Sequence, residues 1–331
     1  MSNLLEIIGP YPPPLGGISV HIARMEFFLR NEKINYKIYN HGFVSSENVL
    51  PTNKSVFWYI KYLFSHQGKL IHFHQFFSFH FLYYFIFSKL SEKKIFISIH
   101  GEGIIYLPEW QRKIYIGLLK NTDFSLLICV SKNLSSLLAQ NGVENIWLPA
   151  SVPPGKIQPV ILPKIQGKDY FLFNIAKLNS KIAESIYGIE LALQFLSRSS
   201  NKYQMLLLIG SEVESDKDYL NSLLEKHKVK DFVTVIYEGN LVNYLGNCKF
   251  LLRANKVDAY GVSIQEAIDL GIPALASDVC IRPKGSILFK KDNLDDLIEK
   301  VENIDKIRVE RETVKSDFHF QLIELYKKFL N

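Results

Sequence analysis

The stretch VDAYGVSIQEAIDLGIPALASD, residues 257–278, contains a loop pattern, a helix pattern and a strand pattern in succession. The amphipathic spacing of VSIQEAIDL predicts a helix that begins at Val262, directly after Gly261. Gly271 and Pro273 predict its end, because glycine favours a helix C-terminus and proline cannot continue a helix. The apolar run ALASD predicts a strand. A helix followed by a strand in this way is one unit of an α/β fold.

The same alternation of strand and helix patterns runs through the rest of the chain. Ten apolar runs predict strands, at residues 4–9, 34–40, 69–75, 94–100, 125–131, 170–176, 204–210, 232–239, 249–255 and 273–278. Helical patterns lie between several of them. We therefore predict an α/β protein with two doubly wound, Rossmann-like domains of parallel strands facing a cleft, with ligands at the carboxyl ends of the strands.

A proline-rich segment, residues 148–167, interrupts the alternation and predicts a linker. We accordingly predict an N-terminal domain over residues 1–165 and a C-terminal domain over residues 166–312. A final helix over residues 313–331 is expected to pack back toward the N-terminal domain.

The composition is that of an ordinary globular protein of 331 residues, with 47% hydrophobic and 22% charged residues. The three cysteines are odd in number and widely spaced, which argues against a disulfide framework and favours a reducing cytoplasm. The start of the chain, MSNLLEIIGPYPPP, lacks the basic and long apolar segments of a signal peptide. A cytoplasmic location is therefore expected.

The net charge of +6 is unevenly distributed. Residues 1–165 hold 16 Lys and Arg against 9 Asp and Glu, whereas the remainder is close to neutral. A basic N-terminal half favours an anionic partner. Without a Lys/Arg-rich run or a nucleic-acid motif, we expect an anionic membrane or a phosphorylated substrate rather than nucleic acid.

The most apolar stretch, FFSFHFLYYFIFS, spans 13 residues from Phe76 to Ser88. A helix needs about 20 apolar residues to span a bilayer, so this stretch should not cross one. It predicts either a buried helix behind a strand or a helix on a membrane surface.

Asp258 and Glu266 lie eight positions apart around the predicted start of the helix. The free N–H groups at Gly261 and Val262 favour a phosphate, and glycine permits its close approach. A carboxylate at Glu266 is suited to the hydroxyls of a ribose, and Asp258 to those of a sugar. The alternative is an ordinary loop and helix with two solvated acids.

The run DAYGVSIQEAIDLGIPALASD closely resembles the donor-binding motif of the retaining GT-B glycosyltransferases of family 4, the glycosyltransferase group 1 type. The resemblance implies the GT-B fold, a role for Glu266 on the nucleotide ribose, a contact of Asp258 with the donor sugar, and a place for Tyr260 among the donor-binding residues. The family usually has Glu at the first acidic position. Because Asp is one methylene shorter, we expect donor specificity to differ here.

Other segments resemble the family more weakly. Gly16 and Gly17 resemble its N-terminal glycine loop near the donor phosphate and acceptor, although a plain helix entry has the same pattern. SIHGEG makes His100 a candidate catalytic residue that contacts the transferred sugar, and IHFHQ makes His74 a weaker one. CVSKN resembles a Val-Ser pair before a late helix.

Metal binding is the competing interpretation of the histidines His72, His74, His80 and His100. No acid or cysteine lies at a fitting spacing, and a histidine on an aromatic strand is usually a satisfied core residue. We predict no metal site and no cofactor, with a UDP- or GDP-linked sugar as substrate.

The chain departs from the family pattern in its basic loop. The family places Arg and Lys on the diphosphate, whereas here Lys177 and Tyr187 stand at those positions. Lys keeps the charge but loses the bidentate fork of Arg. Lys181, Arg253 and Arg282 are further candidate cations, with a solvated surface charge as the alternative for each. Residues 149–152 and 277–285 also differ from the family pattern.

The resemblance implies a retaining, metal-independent glycosyltransferase. We predict His100, Asp258 and Lys177 as the catalytic residues. The donor is expected to be a nucleotide-sugar, held through Lys177, Lys181 and the start of the helix, and the acceptor a glycan or a lipid-linked molecule. Surface polysaccharide synthesis, such as O-antigen, capsule or lipopolysaccharide, would place the protein at the inner face of the cell membrane. Two alternatives stay open, a nucleotide-sugar 2-epimerase of the same fold and a non-catalytic partner subunit.

Overall fold

The computed structural model describes residues 3–13, 15–52, 56–74, 80–154, 157–162, 168–178, 180–211, 213–306 and 317–331. The chain divides into two compact units. The first comprises Met1–Pro13, Gly17–Val152 and Ser316–Asn331, and the second comprises Pro14–Gly16 and Pro153–Lys315.

The first unit is a parallel sheet with helices on both faces. Its elements are β1 (Leu4–Gly9), α1 (Gly17–Asn31), β2 (Asn35–Asn40), β3 (Val49–Pro51), α2 (Val56–Ser65), β4 (Leu70–His74), α3 (His80–Leu90), β5 (Lys94–Ile99), α4 (Glu109–Asn121), β6 (Leu126–Cys129), α5 (Lys132–Gln140), β7 (Ile146–Trp147) and, from the end of the chain, α12 (Phe318–Leu330). The strand order is β3-β2-β1-β4-β5-β6-β7.

The inner strands β1, β4, β5 and β6 are buried on both sides, as a doubly wound sheet requires. On one face, side chains such as Ile97 pack with buried residues of α2, α3, α4 and α5. On the other face, Phe96 and its neighbours pack against α1 and α12. The final helix of the chain therefore belongs to the core of the first unit.

The second unit repeats the architecture. Its elements are β8 (Asp169–Ile175), α6 (Ser180–Ser185), α7 (Ile189–Ser199), β9 (Tyr203–Ile209), α8 (Glu214–Lys226), β10 (Val233–Tyr237), α9 (Leu241–Tyr244), β11 (Cys248–Arg253), α10 (Val262–Asp269), β12 (Ala274–Ser277), β13 (Ile287–Phe289) and α11 (Leu294–Glu302). The parallel strands lie in the order β10-β9-β8-β11-β12-β13. One face packs on α7, α8 and α11, and the other on α9 and α10.

All ten predicted strands are present, with ends that differ by a residue or two. Three strands were missed, namely β3, β7 and β13. Each has two or three residues, too few to show a periodic pattern.

Residues 80–88 of the apolar stretch lie in α3, and residues 76–79 lie outside the described part of the chain. The helix buries Tyr84 and Phe87 but exposes Leu82 and Ile86. In the described residues, no helix is both long and apolar enough to span a bilayer. The predicted final helix begins at Phe318, and residues 313–316 lie outside the description.

Candidate functional site

The strand order of the second unit reverses between β8 and β11. The chain runs outward from β8 through β9 to β10 and then returns to β11 on the other side of β8. In doubly wound sheets, ligands bind at the carboxyl ends of the strands where this reversal occurs. Lys177 lies just beyond the end of β8, and Arg253 to Gly261 form the end of β11 and the loop after it. These segments define the candidate site.

Gly261 sets the entry into α10. It is the N-cap residue and adopts the left-handed conformation, with φ 93° and ψ 68°. A Cβ atom there would lie 2.6 Å from Cδ1 of Ile264 and 3.0 Å from Nη1 of Arg282. Glycine therefore fits both the backbone conformation and the space. The N–H groups of Val262 and Ser263, the first two residues of α10, have no acceptor within the helix and can bind an anion.

Asp258 is held between two arginines. Arg253 donates from Nε to Oδ2 at 2.5 Å and from Nη2 to Oδ1 at 3.1 Å. Arg282 donates from Nη1 to Oδ2 at 2.5 Å, and the backbone N–H of Ala259 donates to Oδ1 at 3.0 Å. A carboxylate offers about four lone-pair sites, so these four hydrogen bonds use its acceptor capacity.

The two arginines decide the charge of Asp258. Its side chain is only 11% exposed, and burial by itself would raise the pKa of the carboxyl group. The charges and hydrogen bonds of Arg253 and Arg282 outweigh burial and hold the pKa of Asp258 well below its usual range. Asp258 is therefore ionised throughout the neutral range, and the three side chains carry a net charge of +1.

Arg282 is fixed more completely than Arg253. Its side chain is 1% exposed, and it donates from Nε to the carbonyl oxygen of Ser277 at 3.0 Å and from Nη2 to Oγ of Ser277 at 3.2 Å. Nη1 also reaches the carbonyl oxygen of Tyr260 at 3.5 Å. Arg282 thus ties the end of β12 to the loop before α10.

Arg253 keeps donors to spare. Of its five N–H groups, two go to Asp258 and one goes from Nη1 to Oγ of Ser263 at 3.0 Å. No described protein atom accepts the remaining two, and the side chain is 14% exposed. The alternative of a solvated surface charge is therefore wrong for Arg253 and for Arg282.

Tyr187 lies in the same cluster as Arg253 and Asp258. Burial raises the pKa of its hydroxyl, and the negative charge of Asp258 raises it further. A hydrogen bond with the backbone of Ala176 and the positive charge of Arg253 lower this pKa. Arg253 therefore lies near Tyr187, the residue that the sequence resemblance aligns with a lysine.

The loop after β11 is anchored to the loop before α7. The N–H of Lys256 donates to the carbonyl oxygen of Ile186 at 2.8 Å, and Nζ pairs with Glu184 at 2.5 Å and with Asp292 at 3.3 Å. Gly188 has φ 65°, and a Cβ atom there would lie 2.3 Å from the carbonyl oxygen of Ala254. This close backbone contact brings Tyr187 and Arg253 together.

The other predicted donor-binding residues of the second unit differ in exposure. Lys177 is exposed, and no described acidic group pairs with it. Glu266 is 8% exposed, so it is not a solvated acid. The side chain of Lys181 lies outside the described part of the structure. The roles predicted for these residues, and the contact of Asp258 with a sugar, stay predictions.

In the first unit, His100 follows β5 and is partly buried. Its Nε2 lies 3.0 Å from Nδ1 of His74, and the ring of His21 lies 5.4 Å from the ring of His100. Gly17 is the first residue of α1, and a Cβ atom there would meet nothing within 4 Å. Gly16 precedes it. His21 was missed, because a single histidine in the apolar pattern of α1 gives no sign of its neighbours.

The histidines of this cluster are neutral. Burial lowers the pKa of His72, His74 and His100 well below the ordinary value and that of His21 to about 4. Both ring nitrogens of His72 are engaged, one with Tyr326 at 2.6 Å and one with Ser98 at 2.8 Å. Among the described residues, no group of three or more His, Cys, Asp or Glu could hold a metal ion. The side chain of His80 lies outside the description.

Two motifs noted in the sequence contact each other in the first unit. Oγ of Ser131, from CVSKN, donates to Oε1 of Glu102, from SIHGEG. Nδ2 of Asn133 donates to the same oxygen at 3.1 Å, and the hydroxyl of Tyr106 donates to Oε2 at 2.9 Å. The buried Glu102 thus fixes the loop that follows His100.

Residues 164–315 match the family model described as Glycosyl transferases group 1. This range covers a little under half of the chain and includes the candidate site. No curated protein matches the chain at a significant level.

Solved structures of similar fold match nearly the whole chain. Sucrose-phosphate synthase from Thermosynechococcus elongatus is 15% identical, with a TM-score of 0.77 over 98% of both chains. HepE of Anabaena, in complex with UDP and glucose, is 11% identical, with a TM-score of 0.72 over 98% of this chain and 99% of that one. WaaG, a glycosyltransferase involved in lipopolysaccharide biosynthesis, is 13% identical, with a TM-score of 0.64 over 99% and 95%.

At these identities the structural likeness establishes the fold. Both the likeness and the two parallel sheets with interleaved helices confirm the predicted α/β class and the GT-B type, with two Rossmann-like domains. The match to the family model concerns the second of these domains.

Proposed function

We propose that the protein is a retaining glycosyltransferase that moves a sugar from a nucleotide-sugar donor to a glycan or lipid-linked acceptor. The observation that carries this proposal is the set of cations at the strand reversal of the second unit. Arg253 has two N–H groups to spare beside the start of α10, and the exposed Lys177 follows the adjacent strand β8. The family match over residues 164–315 supports the same activity.

Such a site suits the departing nucleoside diphosphate. Cleavage of the bond between sugar and phosphate leaves negative charge on the diphosphate, and fixed donors aimed at that charge stabilise the transition state. Arg253, Lys177 and the N–H groups at the start of α10 would supply these donors. Lys181, in α6, would add a further cation. In this scheme the protein supplies the positive charge that a divalent ion would otherwise provide.

We assign Asp258 a positioning role. It accepts four hydrogen bonds, two of them in a bidentate pair with Arg253, and so fixes the guanidinium group beside the start of α10. Asp258 thus retains the acidic group of the family motif, and in this chain it orients Arg253 and Arg282. Arg282 also reaches the loop backbone at the carbonyl oxygen of Tyr260, and the missing Cβ of Gly261 leaves room for its guanidinium group.

Glu266 and His100 complete the proposed machinery. The buried carboxylate of Glu266 would accept hydrogen bonds from the ribose hydroxyls. His100, neutral and in contact with His74, would contact the transferred sugar, with Gly16 and Gly17 near the donor phosphate and acceptor. Transfer with retention follows the family pattern, in which the departing phosphate takes the acceptor proton on the same face. Tyr260 would line the donor site.

The acceptor is proposed to be lipid-linked and to belong to surface polysaccharide synthesis at the inner face of the cell membrane. WaaG, whose fold is similar, is involved in lipopolysaccharide biosynthesis, and HepE was solved with UDP and glucose. These relatives support a UDP-linked sugar as the first donor to test, with a GDP-linked sugar as the second.

The test is the release of nucleotide from a panel of UDP- and GDP-sugars. We expect at least one donor to be turned over, and Glu266→Ala to lower kcat/KM by about 100-fold, as removal of two charge-assisted hydrogen bonds implies. Undiminished turnover by Glu266→Ala would exclude the ribose role. Glu302→Ala, in an exposed acid of α11, is the matched control and should leave turnover unchanged.

Two further readouts separate the alternatives. Activity should persist after exhaustive EDTA treatment, and full loss restored by Mg²⁺ would contradict the cation scheme. A product with no acceptor attached and an altered sugar would identify the 2-epimerase. Nucleotide binding with no turnover of any donor, even with cell extract as the acceptor source, would identify the non-catalytic subunit. We consider this alternative because Tyr187 stands where the family has a lysine.

A further inference from the structure

The outer surface of α2, α3 and α4 in the first unit exposes an unusual number of large apolar side chains. These residues, which we call the apolar face, are Phe57, Ile60, Phe64, Leu82, Ile86, Leu90, Trp110 and Ile114. Phe57 is 84% exposed, Phe64 80%, Leu90 65% and Trp110 64%. Single exposed apolar residues are common on proteins, but contiguous patches mark a surface that binds something.

The exposed residues recur at helical spacing. On α2 they are Phe57, Ile60 and Phe64, which are three and four positions apart and therefore on one side of the helix. On α3 the pair Leu82 and Ile86 follows the same rule. Each helix thus presents one apolar side outward in addition to the one it buries.

The three outward sides point away from the same sheet face. The buried sides of the helices, represented by Tyr62, Phe87 and Leu119, all join one core cluster on that face. Since the three helices pack in a single layer, their opposite sides form one continuous outer surface.

Direct contacts hold the helices next to each other. The rings of Tyr59 on α2 and Tyr83 on α3 are 4.7 Å apart, and the Tyr83 hydroxyl donates to the carbonyl oxygen of Tyr59 at 3.1 Å. Just after α4, the N–H of Asp123 donates to Oγ of Ser88 on α3 at 3.1 Å. The apolar face is therefore a property of one packed layer.

Basic side chains are interspersed with the apolar ones. Lys61, Lys89 and Lys113 are exposed, one on each helix. The only acid in these three helices is Glu109, which pairs with Lys113 at 2.7 Å. Just after α4, Asp123 pairs with Lys89 at 2.6 Å, and Lys61 has no acidic group beside it on α2. Aliphatic stems of lysine can lie along an apolar surface while the ammonium group reaches a polar one.

This chemistry favours a lipid surface over a second copy of the chain. Two copies joined through the apolar face would bring like charges together, which is unfavourable. An anionic bilayer instead accepts apolar side chains in its hydrocarbon layer, aromatic side chains such as Trp110 at its interface, and lysines at its head groups. With 10, 11 and 13 residues, the helices are far shorter than the roughly 20 needed to cross it.

We propose that the apolar face is a docking surface for an anionic lipid bilayer, on which α2, α3 and α4 lie in the plane of the interface. The sequence predicts an anionic partner for the basic N-terminal half, and the structure assigns that partner a surface. The proposal does not rest on the glycosyltransferase activity, because it concerns another part of the first unit and needs no substrate.

The experiment is co-sedimentation of the full chain with vesicles of phosphatidylcholine containing one third phosphatidylglycerol. We expect binding to these vesicles and about fivefold weaker binding for Lys61→Gln, the loss of one lysine from an anionic surface. The double variant Phe57→Ser/Phe64→Ser should bind at least about tenfold more weakly, because two exposed rings no longer enter the bilayer.

The matched control is Phe27→Ser/Phe320→Ser. These rings are 48% and 51% exposed but lie on α1 and α12, which cover the opposite face of the sheet. The control should bind vesicles like the wild type. Because the substituted rings in both variants are exposed, unchanged thermal unfolding should show that each variant is folded.

A second readout places the surface at the bilayer. Lipids brominated near the head groups should quench tryptophan fluorescence in the wild type, and most of this quenching should be absent in Trp110→Phe. No binding to anionic vesicles, equal binding to pure phosphatidylcholine, or equal loss in both double variants would overturn the proposal. Dimers that Phe57→Ser/Phe64→Ser dissociates, with no vesicle binding, would assign the face to a second copy instead.

Discussion

The carboxylate of Asp258 is buried, and an unpaired charge at that position would destabilise the fold. The guanidinium groups of Arg253 and Arg282 compensate for its lost hydration. The same pairing lowers the mobility of Arg253, whose remaining donors then point in a fixed direction. A single residue therefore couples the stability of the second unit to the geometry of its cation site.

Asp258→Asn should destabilise the second unit by about 3 kcal/mol, because it leaves two buried guanidinium groups without their counter-charge. The free energy can be measured from amide hydrogen exchange in β11 and α10. Asp295→Asn is the matched control, since Asp295 is 89% exposed and pairs with Arg198 on the surface. That change should cost less than about 1 kcal/mol. Equal effects of the two substitutions would contradict the account of Asp258.

His21 should make the first unit sensitive to acid. Its pKa is about 4 in the folded protein against 6.5 ordinarily, because of burial, so the unfolded chain binds the proton more readily. Its contribution to stability is complete above the unfolded pKa and is lost as the pH falls below it. At about pH 5 the loss from His21 is roughly 2 kcal/mol.

Urea unfolding followed by tryptophan fluorescence measures this loss, because all three tryptophans lie in the first unit. Comparison of about pH 7.5 with about pH 5 should show a smaller decrease for His21→Gln than for the wild type, by roughly the contribution of one such histidine. If the two proteins lose the same stability, protonation of His21 is not the cause.

At the scale of the element, the entry into α10 depends on the conformation of Gly261. Gly261→Ala combines a positive φ with a Cβ atom 2.6 Å from Ile264, so it should destabilise the second unit by more than about 1 kcal/mol. It should also weaken nucleotide binding, because the first N–H groups of α10 would shift. Calorimetric unfolding and a nucleotide titration measure the two effects.

Gly246→Ala is the control for this element. Gly246 lies in the same unit, and a Cβ atom there would meet nothing within 4 Å. Its unfolding temperature and nucleotide affinity should stay at the wild-type values. An equally small effect of Gly261→Ala would show that α10 can begin without the left-handed residue.

The elements could be predicted where they are long enough to show a period. Both β1 and α10 begin where the sequence indicates, since an apolar run or an amphipathic pattern is bounded by glycine or proline. The strand β13 has only three residues, of which one is exposed, so its pattern is not distinguishable from a loop. This strand also lies at the edge of the sheet, where fewer neighbouring residues bury its side chains.

The contacts of the candidate site were less predictable than its residues. Asp258 and Arg282 are far apart in the chain, and only the return of β12 beside β11 brings them together. A sequence pattern indicates that both residues carry charge but not that one neutralises the other. The cluster of His21 with His74 and His100 has the same origin, because three separate elements contribute to it.

At the scale of the whole molecule, the two units share one architecture but differ in charge and surface. Basic residues predominate in the first half of the chain, whose unit bears the apolar face. The second half is nearly neutral, and Arg253 and Arg282 are paired with Asp258 at its strand reversal. The repeated fold could be predicted from the sequence, because each strand and helix follows from the periodicity of its apolar residues. The different surfaces depend on which side of each helix is buried.

The most direct test of the central claim, a diphosphate site built from cations at the strand reversal, is a calorimetric titration with UDP and GDP and with their monophosphates. At least one diphosphate should bind at least about tenfold more tightly than its monophosphate, and Lys177→Gln should reduce that difference. Lys177 is exposed, so this variant should fold normally. Lys306→Gln is the matched control and should bind like the wild type. Lys306 is exposed and follows Asp305, which pairs with Lys249 near the opposite end of β11. Equal affinity for diphosphate and monophosphate, or no binding of either, would contradict the account.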